Sequence, residues 1–480
     1  MGNFLVFGME MILFVIFFTL TIFSCSYLCF LFFGPQSSVP IIESGLNRNN
    51  RIQPMRKSKA KEYGKYLTTV VENGPNVHKN GVDGNKINDN DNHCTADSLS
   101  EKLPSVSIIV PARDEEKHIE RCLLSLLSQD YPDFEIIAVD DDSADSTLKI
   151  MRDMKNSNIR HKTTGLPVDK LKIVSLKDKP ENWTGKTWAS QQGYLQSKGD
   201  ILLFTDADTN YVKKDVVLQS VLYMQKEGLD VLTGTPSSGK LTDFWSKITI
   251  PLWDFVKVLF GINNQEVNNP KSKIAYLVGS FFLMKRTIFV NVGTFESVCD
   301  EIQEDKALGI LVKKRGYNLK IVRLKEMVFT IWADDLKTVW NGIGRTLAPL
   351  VMKNKLKVIL NLLVIFFATT LPFVLLPVTL LISFEKLLSA PIMAIPFHLQ
   401  FYLIVLNLVP CAIMFTLYSL KCKKYGITLL YSFGIVFASI FVVVACLYTT
   451  APLLIHGKTK PIVWQGRRYT YSKEKEGFTL

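Results

Sequence analysis

Four long uninterrupted apolar runs constrain this chain more than any other feature: Leu5 to Phe33, Val358 to Ile382, Phe401 to Leu420 and Ile427 to Leu454. Each reaches or exceeds the ~20 residues a helix needs to cross a bilayer's hydrocarbon. The first lies at the start and the rest lie after Lys357, so a polar middle remains that can fold by itself. A mean hydropathy of +0.16 over 480 residues agrees with that mixture. The first run is about twice the usual signal-peptide core and lacks a cationic flank, so it reads as an uncleaved anchor.

Arg51, Arg56, Lys57, Lys59, Lys61 and Lys65 follow the first run, and Lys353, Lys355 and Lys357 precede the second. Positive flanks face the cytoplasm, which places the middle of the chain there. Four spans then put both termini outside, against the Lys458, Lys460, Arg467, Arg468, Lys473 and Lys475 of the tail. Either one run is re-entrant, the one holding Pro372 and Pro377 being the candidate, or the charge rule fails here. Much of the net charge of +12 sits in these flanks, suiting anionic lipid rather than nucleic acid, since no stripe of basic and aromatic residues occurs. The eight cysteines have no C-x-x-C spacing and read as reduced and structural.

Five regions follow: an anchor over 1–34, a polar disordered linker over 35–103, a catalytic domain with interfacial helices over 104–350, membrane helices over 351–456 and a basic tail over 457–480. In the third, VSIIVPA, FEIIAVDD, LKIVSL, DILLFTDAD and DVLTGT are short apolar runs of buried-strand type. Helical segments separate them at Glu115 to Gln129, Ser146 to Met154, Lys186 to Ser197 and Asp215 to Lys226. Strand and helix alternating in this way predict an α/β domain with a mostly parallel sheet. Leu241 to Ile262 is apolar and aromatic but broken by Asp243, Lys247, Asp254 and Lys257, the pattern of a helix lying in the membrane interface. Asp334 to Leu347 reads the same way, although aromatic residues at helical spacing more often fill a core.

Ligands bind such sheets at the carboxyl ends of the strands, and acids occupy two of those ends here. Asp140, Asp141 and Asp142 follow one strand; Asp206 and Asp208 follow another. Two carboxylates one residue apart can share a hard cation and leave its other positions to diphosphate oxygens. D-x-D alone is a weak signal. Helix capping by Ser143 or Asp145 accounts for part of the first run equally well. Glu304 and Asp305 open a helix, where the dipole favours acids in any protein. Trp183-Thr-Gly-Lys-Thr187 is no phosphate loop, because Pro180 stands where a glycine is required and no strand leads into it.

With VPARDEE (Val110 to Glu116), VDDDSADST, D-x-D and a later E-D pair in this order, the chain resembles the family-2 glycosyltransferases of the GT-A fold. The resemblance covers about Val106 to Tyr317, and Asp114 stands where that family more often has Asn. It implies that Ala112, Arg113, Asp114 and Asp141 hold the base of a nucleotide sugar, that Asp206 and Asp208 hold Mg²⁺ or Mn²⁺ and the diphosphate, and that Asp305 is the general base with Glu304 positioning it. Trp183, Gly185, Lys186, Trp188 and Ala189 resemble the W-x-G-K-x-W-A of the membrane-bound branch around carotenoid- and hopanoid-associated glycosyltransferases. Lys186 would then touch the nucleotide phosphates, against the plain reading of a solvated lysine opening a helix. Trp464, Gly466, Arg467 and Tyr469 match that branch's tail better than the Q-x-x-R-W of processive synthases, which Gln465 to Tyr469 lacks.

The expectation is thus an inverting, metal-dependent glycosyltransferase of the cell membrane, its catalytic domain cytoplasmic. Its donor would be a UDP-sugar, with a GDP-sugar as the alternative, and its acceptor a lipid or isoprenoid. A processive polysaccharide synthase is the rival enzyme. A catalytically dead scaffold of the same fold is the rival outside enzymes, disfavoured because Asp141, Asp206, Asp208, Glu304 and Asp305 are all intact.

Overall fold

The computed structural model describes residues 19–25, 39–42, 103–156, 167–239, 241–259, 264–331, 336–388, 397–456, 462–464 and 466–469. Most of the expected anchor Leu5 to Phe33, nearly all of the linker 35–103 and most of the basic tail lie outside them.

In chain order the elements are β1 (Val106–Ala112), α1 (Ile119–Leu127), β2 (Phe134–Asp141), α2 (Thr147–Asn156), β3 (Leu171–Leu176), α3 (Gly185–Leu195), β4 (Ile201–Phe204), β5 (Thr209–Tyr211) and α4 (Val216–Lys226). There follow β6 (Val231–Ser238), α5 (Phe244–Leu259), β7 (Phe282–Lys285), α6 (Glu304–Lys314), β8 (Leu319–Thr330), α7 (Leu336–Lys353), α8 (Lys355–Ile365), α9 (Leu371–Leu388), α10 (Phe397–Lys424), α11 (Ile435–His456), β9 (Ile462–Trp464) and β10 (Arg467–Tyr469). They group into two units, one of 39–237 with 264–330 and the other of 1–38, 238–263 and 331–480. The two segments read as interfacial helices fall in the second.

The first unit is an α/β domain around an eight-stranded sheet in the order β3-β2-β1-β4-β7-β6-β8-β5. Alternate residues of one strand feed two separate cores. Ile108, Val110, Ile136 and Ala138 point into one, and Ile109, Ile137, Val139, Leu202 and Phe204 into the other. Both faces of these strands are buried, which is why they read as continuous apolar runs rather than alternating ones. The parallel arrangement holds for β3, β2, β1 and β4. Beyond β4 the pairings with β7 turn antiparallel, because β7 enters between β4 and β6 from the opposite direction. Within the stretch read as a linker, Val39 and Ile42 are buried and residues 40–42 bridge to Arg323 of β8.

The second unit is helical. Lys355–Leu381 and Leu429–Pro452 are long and apolar enough to cross a membrane. The run holding Pro372 and Pro377 is helical through both prolines, with a π segment at Phe366–Thr370. Pro372 has no N–H to offer the carbonyl four residues back, and a local π register absorbs that missing bond. Thr369 Oγ1, 2.7 Å from the Ile365 carbonyl, supplies a donor there. The core of the unit includes Trp253, Ile343, Tyr418 and Val442, so α5 and α7 are packed against the apolar helices. Trp464 and Arg467 pair across the β9–β10 hairpin.

Candidate active site

The strand-end acids form two groups built on different principles. The first is a latch between the loops after β1 and β2, which leave adjacent strands in register with Ala112 opposite Asp140. The Asp114 N–H donates to Ser143 Oγ at 3.1 Å, and Asp114 Oδ1 accepts from the Ala144 N–H at 2.8 Å. One step further, the Glu116 N–H donates to Asp145 Oδ2 at 3.0 Å and Glu116 Oε2 accepts from the Ser146 N–H at 3.1 Å. Asp145 Oδ1 also accepts from the Thr147 N–H at 2.9 Å, the capping role its position suggested. Burial works against the Asp145 carboxylate, but the bonds from Thr147 and Glu116 outweigh it and hold its pKa below the ordinary value. Asp114 and Asp142 both have positive φ, 53° and 57°, which Asp tolerates better than most residues.

Arg113 closes this latch. Its guanidinium donates to the Asp141 carbonyl and lies 3.9 Å from Asp114 Oδ2 and 3.8 Å from Asp142 Oδ2. Asp140 and Asp141 are buried beneath, and burial, against hydrogen bonds from Ser143, raises the Asp140 pKa. Ala112, Arg113, Asp114 and Asp141, expected together, are brought together.

The second group surrounds one ammonium. Thr184 caps α3, its Oγ1 accepting from the Thr187 N–H at 3.3 Å, which sets Lys186 in the first turn. The Thr184 N–H and the Thr187 hydroxyl both donate to the Cys299 carbonyl at 2.7 Å, tying that turn to the chain just before α6. Glu304 and Asp305 open α6 while Lys313 and Lys314 close it, the charge order that complements a helix dipole. Lys186 Nζ stands 2.6 Å from Asp206 Oδ1 and 3.0 Å from Glu304 Oε1. It is neither solvated nor idle, as a plain helix-opening lysine would be.

The remaining wall is a turn that the sequence did not advertise. Residues 278–281 close through the Phe281 N–H to the Val278 carbonyl at 2.8 Å, and Thr205 Oγ1 donates to the Ser280 carbonyl at 2.8 Å. There the Gly279 N–H donates to Asp305 Oδ2 at 3.0 Å, while the Lys306 N–H donates to Asp305 Oδ1 at 2.8 Å. A Cβ on Gly279 would lie 2.7 Å from Lys186 Nζ, 3.2 Å from Asp305 Oδ2 and 3.6 Å from Asp206 Oδ2. A side chain there would push the Lys186 ammonium aside and crowd Asp305.

Electrostatics follow from this packing. Glu304 is only 5% exposed, and burial together with Asp305 and Asp206 raises its pKa against the pull of Lys186. For Lys186, burial acts to lower the pKa, but Asp206, Glu304 and Asp305 overcome it and hold the ammonium charged. Asp208 faces the α1 side, where Arg121 Nη2 donates to its carbonyl at 3.5 Å. Burial and then the Asp208 charge push the neighbouring Cys122 thiol far up, so it stays protonated.

Among the described residues no three His, Cys, Asp or Glu side chains gather into a ready-made metal cage. Asp206 is engaged by Lys186 and Asp208 lies toward Arg121 and Cys122, so what fits Mg²⁺ or Mn²⁺ is the donor type, since hard cations of this kind take one or two carboxylates and complete their shell with phosphate oxygens.

The buried Glu304 and the partly exposed Asp206 thus share the Lys186 ammonium, with Asp305 beside them. Residues 107–293 match the model of Glycosyl transferase family 2. The 4,4'-diaponeurosporenoate glycosyltransferase of Staphylococcus haemolyticus (strain JCSC1435) is 35% identical over 27% of this chain and 32% of its own length. The probable glycosyltransferase YdaM of Bacillus subtilis (strain 168) is 26% identical over 46% of this chain and 49% of its own. The chain thus spans from a third to a half of these relatives. A mannosyltransferase from Pyrobaculum calidifontis, solved with GDP-Man and Mn2+, overlaps 82% of this chain and 95% of its own at 16% identity and a TM-score of 0.41. A superposition that low carries no functional argument.

Proposed function

We propose that this chain is an inverting glycosyltransferase that moves a sugar from a nucleotide sugar, a UDP-sugar or alternatively a GDP-sugar, to a lipid-like acceptor at a membrane. The observation that carries the reading is the convergence of Lys186, Asp206, Glu304 and Asp305 at the strand ends of a family-2 domain. Their order of use follows from their chemistry.

The latch formed by Arg113, Asp114 and Asp141, with Ala112 at its base, receives the nucleotide base, where carboxylates accept from N–H donors. Asp206 and Asp208 would hold Mg²⁺ or Mn²⁺, which when bound supplies positive charge against the diphosphate. Lys186, already charged and poised at Asp206, faces the same anion. Asp305 takes the proton of the acceptor hydroxyl. The acceptor oxygen forms its bond to the anomeric carbon as the bond from that carbon to the diphosphate oxygen breaks, and the nucleoside diphosphate leaves with the electron pair. Glu304 keeps Lys186 and Asp305 in place from below.

The membrane part rests on the two long apolar helices and on the positive flanks read from the sequence. A cytoplasmic catalytic domain over 104–237 with 264–330 and a lipid or isoprenoid acceptor are consistent with both. The name of the S. haemolyticus relative supports an acceptor of that kind.

The test is release of nucleoside diphosphate by membranes holding the full chain, offered UDP- and GDP-sugars and a total lipid extract, with Mg²⁺, Mn²⁺ or EDTA. Metal-dependent release that needs lipid, and falls about 10²- to 10⁴-fold in Asp305→Asn, is expected. No release with any donor favours the scaffold, and lipid-independent growth of a polymer favours the synthase.

A further inference from the structure

The helical unit holds a second charged cluster, built from residues that the sugar-transfer site does not use. Asp254 of α5 is contacted by three lysines: Lys257 at 3.5 Å, Lys421 at 3.4 Å and Lys424 at 3.9 Å. Burial opposes charge on Asp254, but the three ammoniums prevail and hold its pKa below the ordinary value. Counted formally, these four side chains carry a charge of +2. Lys424 is the outermost, with 63% of its side chain exposed.

Position adds a second observation. Lys421 and Lys424 sit in the last turn of α10, directly after the apolar run that ends at Leu420. Between α10 and α11 the turn Leu429–Gly434 exposes Leu430 by 73% and Phe433 by 70%. Across it, Lys247 of α5 reaches the Tyr431 hydroxyl at 3.4 Å and lies 5.1 Å from its ring centroid. Cations that stop where an apolar hairpin turns, with Leu430 and Phe433 exposed on the turn and Phe433 packed 5.2 Å from Phe415 further back along α10, match the chemistry of a phospholipid: a phosphate above, hydrocarbon below.

We infer that the lysines gathered on Asp254, together with the exposed Leu430 and Phe433, form a binding site for the phosphate of an anionic phospholipid. The inference rests on the membrane reading above, not on sugar transfer. Asp254 serves as a fixed post that holds three long side chains in one place, so that less rotamer freedom is lost when phosphate arrives. Exposed apolar side chains select a lipid over free phosphate, which has nothing to lay against them.

The full chain, purified in detergent, is titrated with phosphatidylglycerol, phosphatidylcholine and inorganic phosphate, and retained lipid is counted by native mass spectrometry. Retention of phosphatidylglycerol over phosphatidylcholine, undisturbed by inorganic phosphate, is expected. Lys424→Gln should weaken it about fivefold, the value of one lysine near an anionic surface, while nucleoside diphosphate release stays unchanged. Equal retention of both lipids, displacement by inorganic phosphate, or an unaltered Lys424→Gln each overturns the site. A chain that does not enter phosphatidylcholine vesicles sinks the membrane reading itself, whereas one that enters them without preferring phosphatidylglycerol sinks only this site.

Discussion

The two acid groups at the strand ends look alike in sequence and differ in what satisfies them. In the latch after β1 and β2, Asp114, Glu116 and Asp145 accept from backbone N–H groups within short loops. In the cluster below Gly279, Asp206 and Glu304 share one ammonium brought from another helix. Backbone donors cannot leave without unfolding the loop, so the first group is scaffold for a pocket. A lysine side chain can re-aim when another cation or anion arrives, so the second can take part in chemistry. Asp305 stands between the two kinds, its oxygens accepting from the Gly279 and Lys306 N–H groups while its charge acts on the same ammonium.

The largest expected effect tests the shared ammonium. Lys186→Met strands Glu304 in the interior and should cost about 3–5 kcal/mol of stability, read by denaturant unfolding of the full chain, with Glu304→Gln in the double variant restoring much of it. If Lys186→Met unfolds like wild type, the cluster is no more tightly coupled than the latch and the contrast fails.

Next comes the wall. Gly279→Ala places a methyl 2.7 Å from Lys186 Nζ, so the ammonium and Asp305 must shift. A loss of about 1–3 kcal/mol is expected, with a fall in kcat larger than any change in KM for the donor. Unchanged turnover would remove Gly279 from the site.

The smallest effect belongs to the latch. Asp114→Asn keeps an oxygen for the Ala144 N–H and a residue at ease with positive φ, so thermal unfolding should move by no more than about 0.5 kcal/mol. Asp114→Ala loses both and should cost about 1–2 kcal/mol. Equal effects of the two would mean that the hydrogen bond to Ala144 does not hold the latch.

Much of this was legible in the chain. Continuous Val, Ile and Leu runs required strands buried on both faces, and VPARDEE, VDDDSADST, D-x-D and E-D supplied the candidate residues before any contact was known. The antiparallel half of the sheet was not legible, because β7 is a four-residue strand whose neighbours β4 and β6 are set by chain crossing and not by its own composition. Val39 and Ile42 were hidden in a polar stretch too short of apolar residues to show a period.

The sequence by itself determined β1 to β4 and β6, the apolar helices and the residue types of the candidate site, since periodicity and the charges at helix ends are local properties. It could not determine that Lys186, Asp206, Glu304, Asp305 and Gly279 meet, nor that Lys186 is held rather than solvated. Those are decided by tertiary structure, because they depend on two helix starts and a turn, about 120 residues apart at the extremes, being drawn together by the Cys299 carbonyl and by packing on both faces of one sheet.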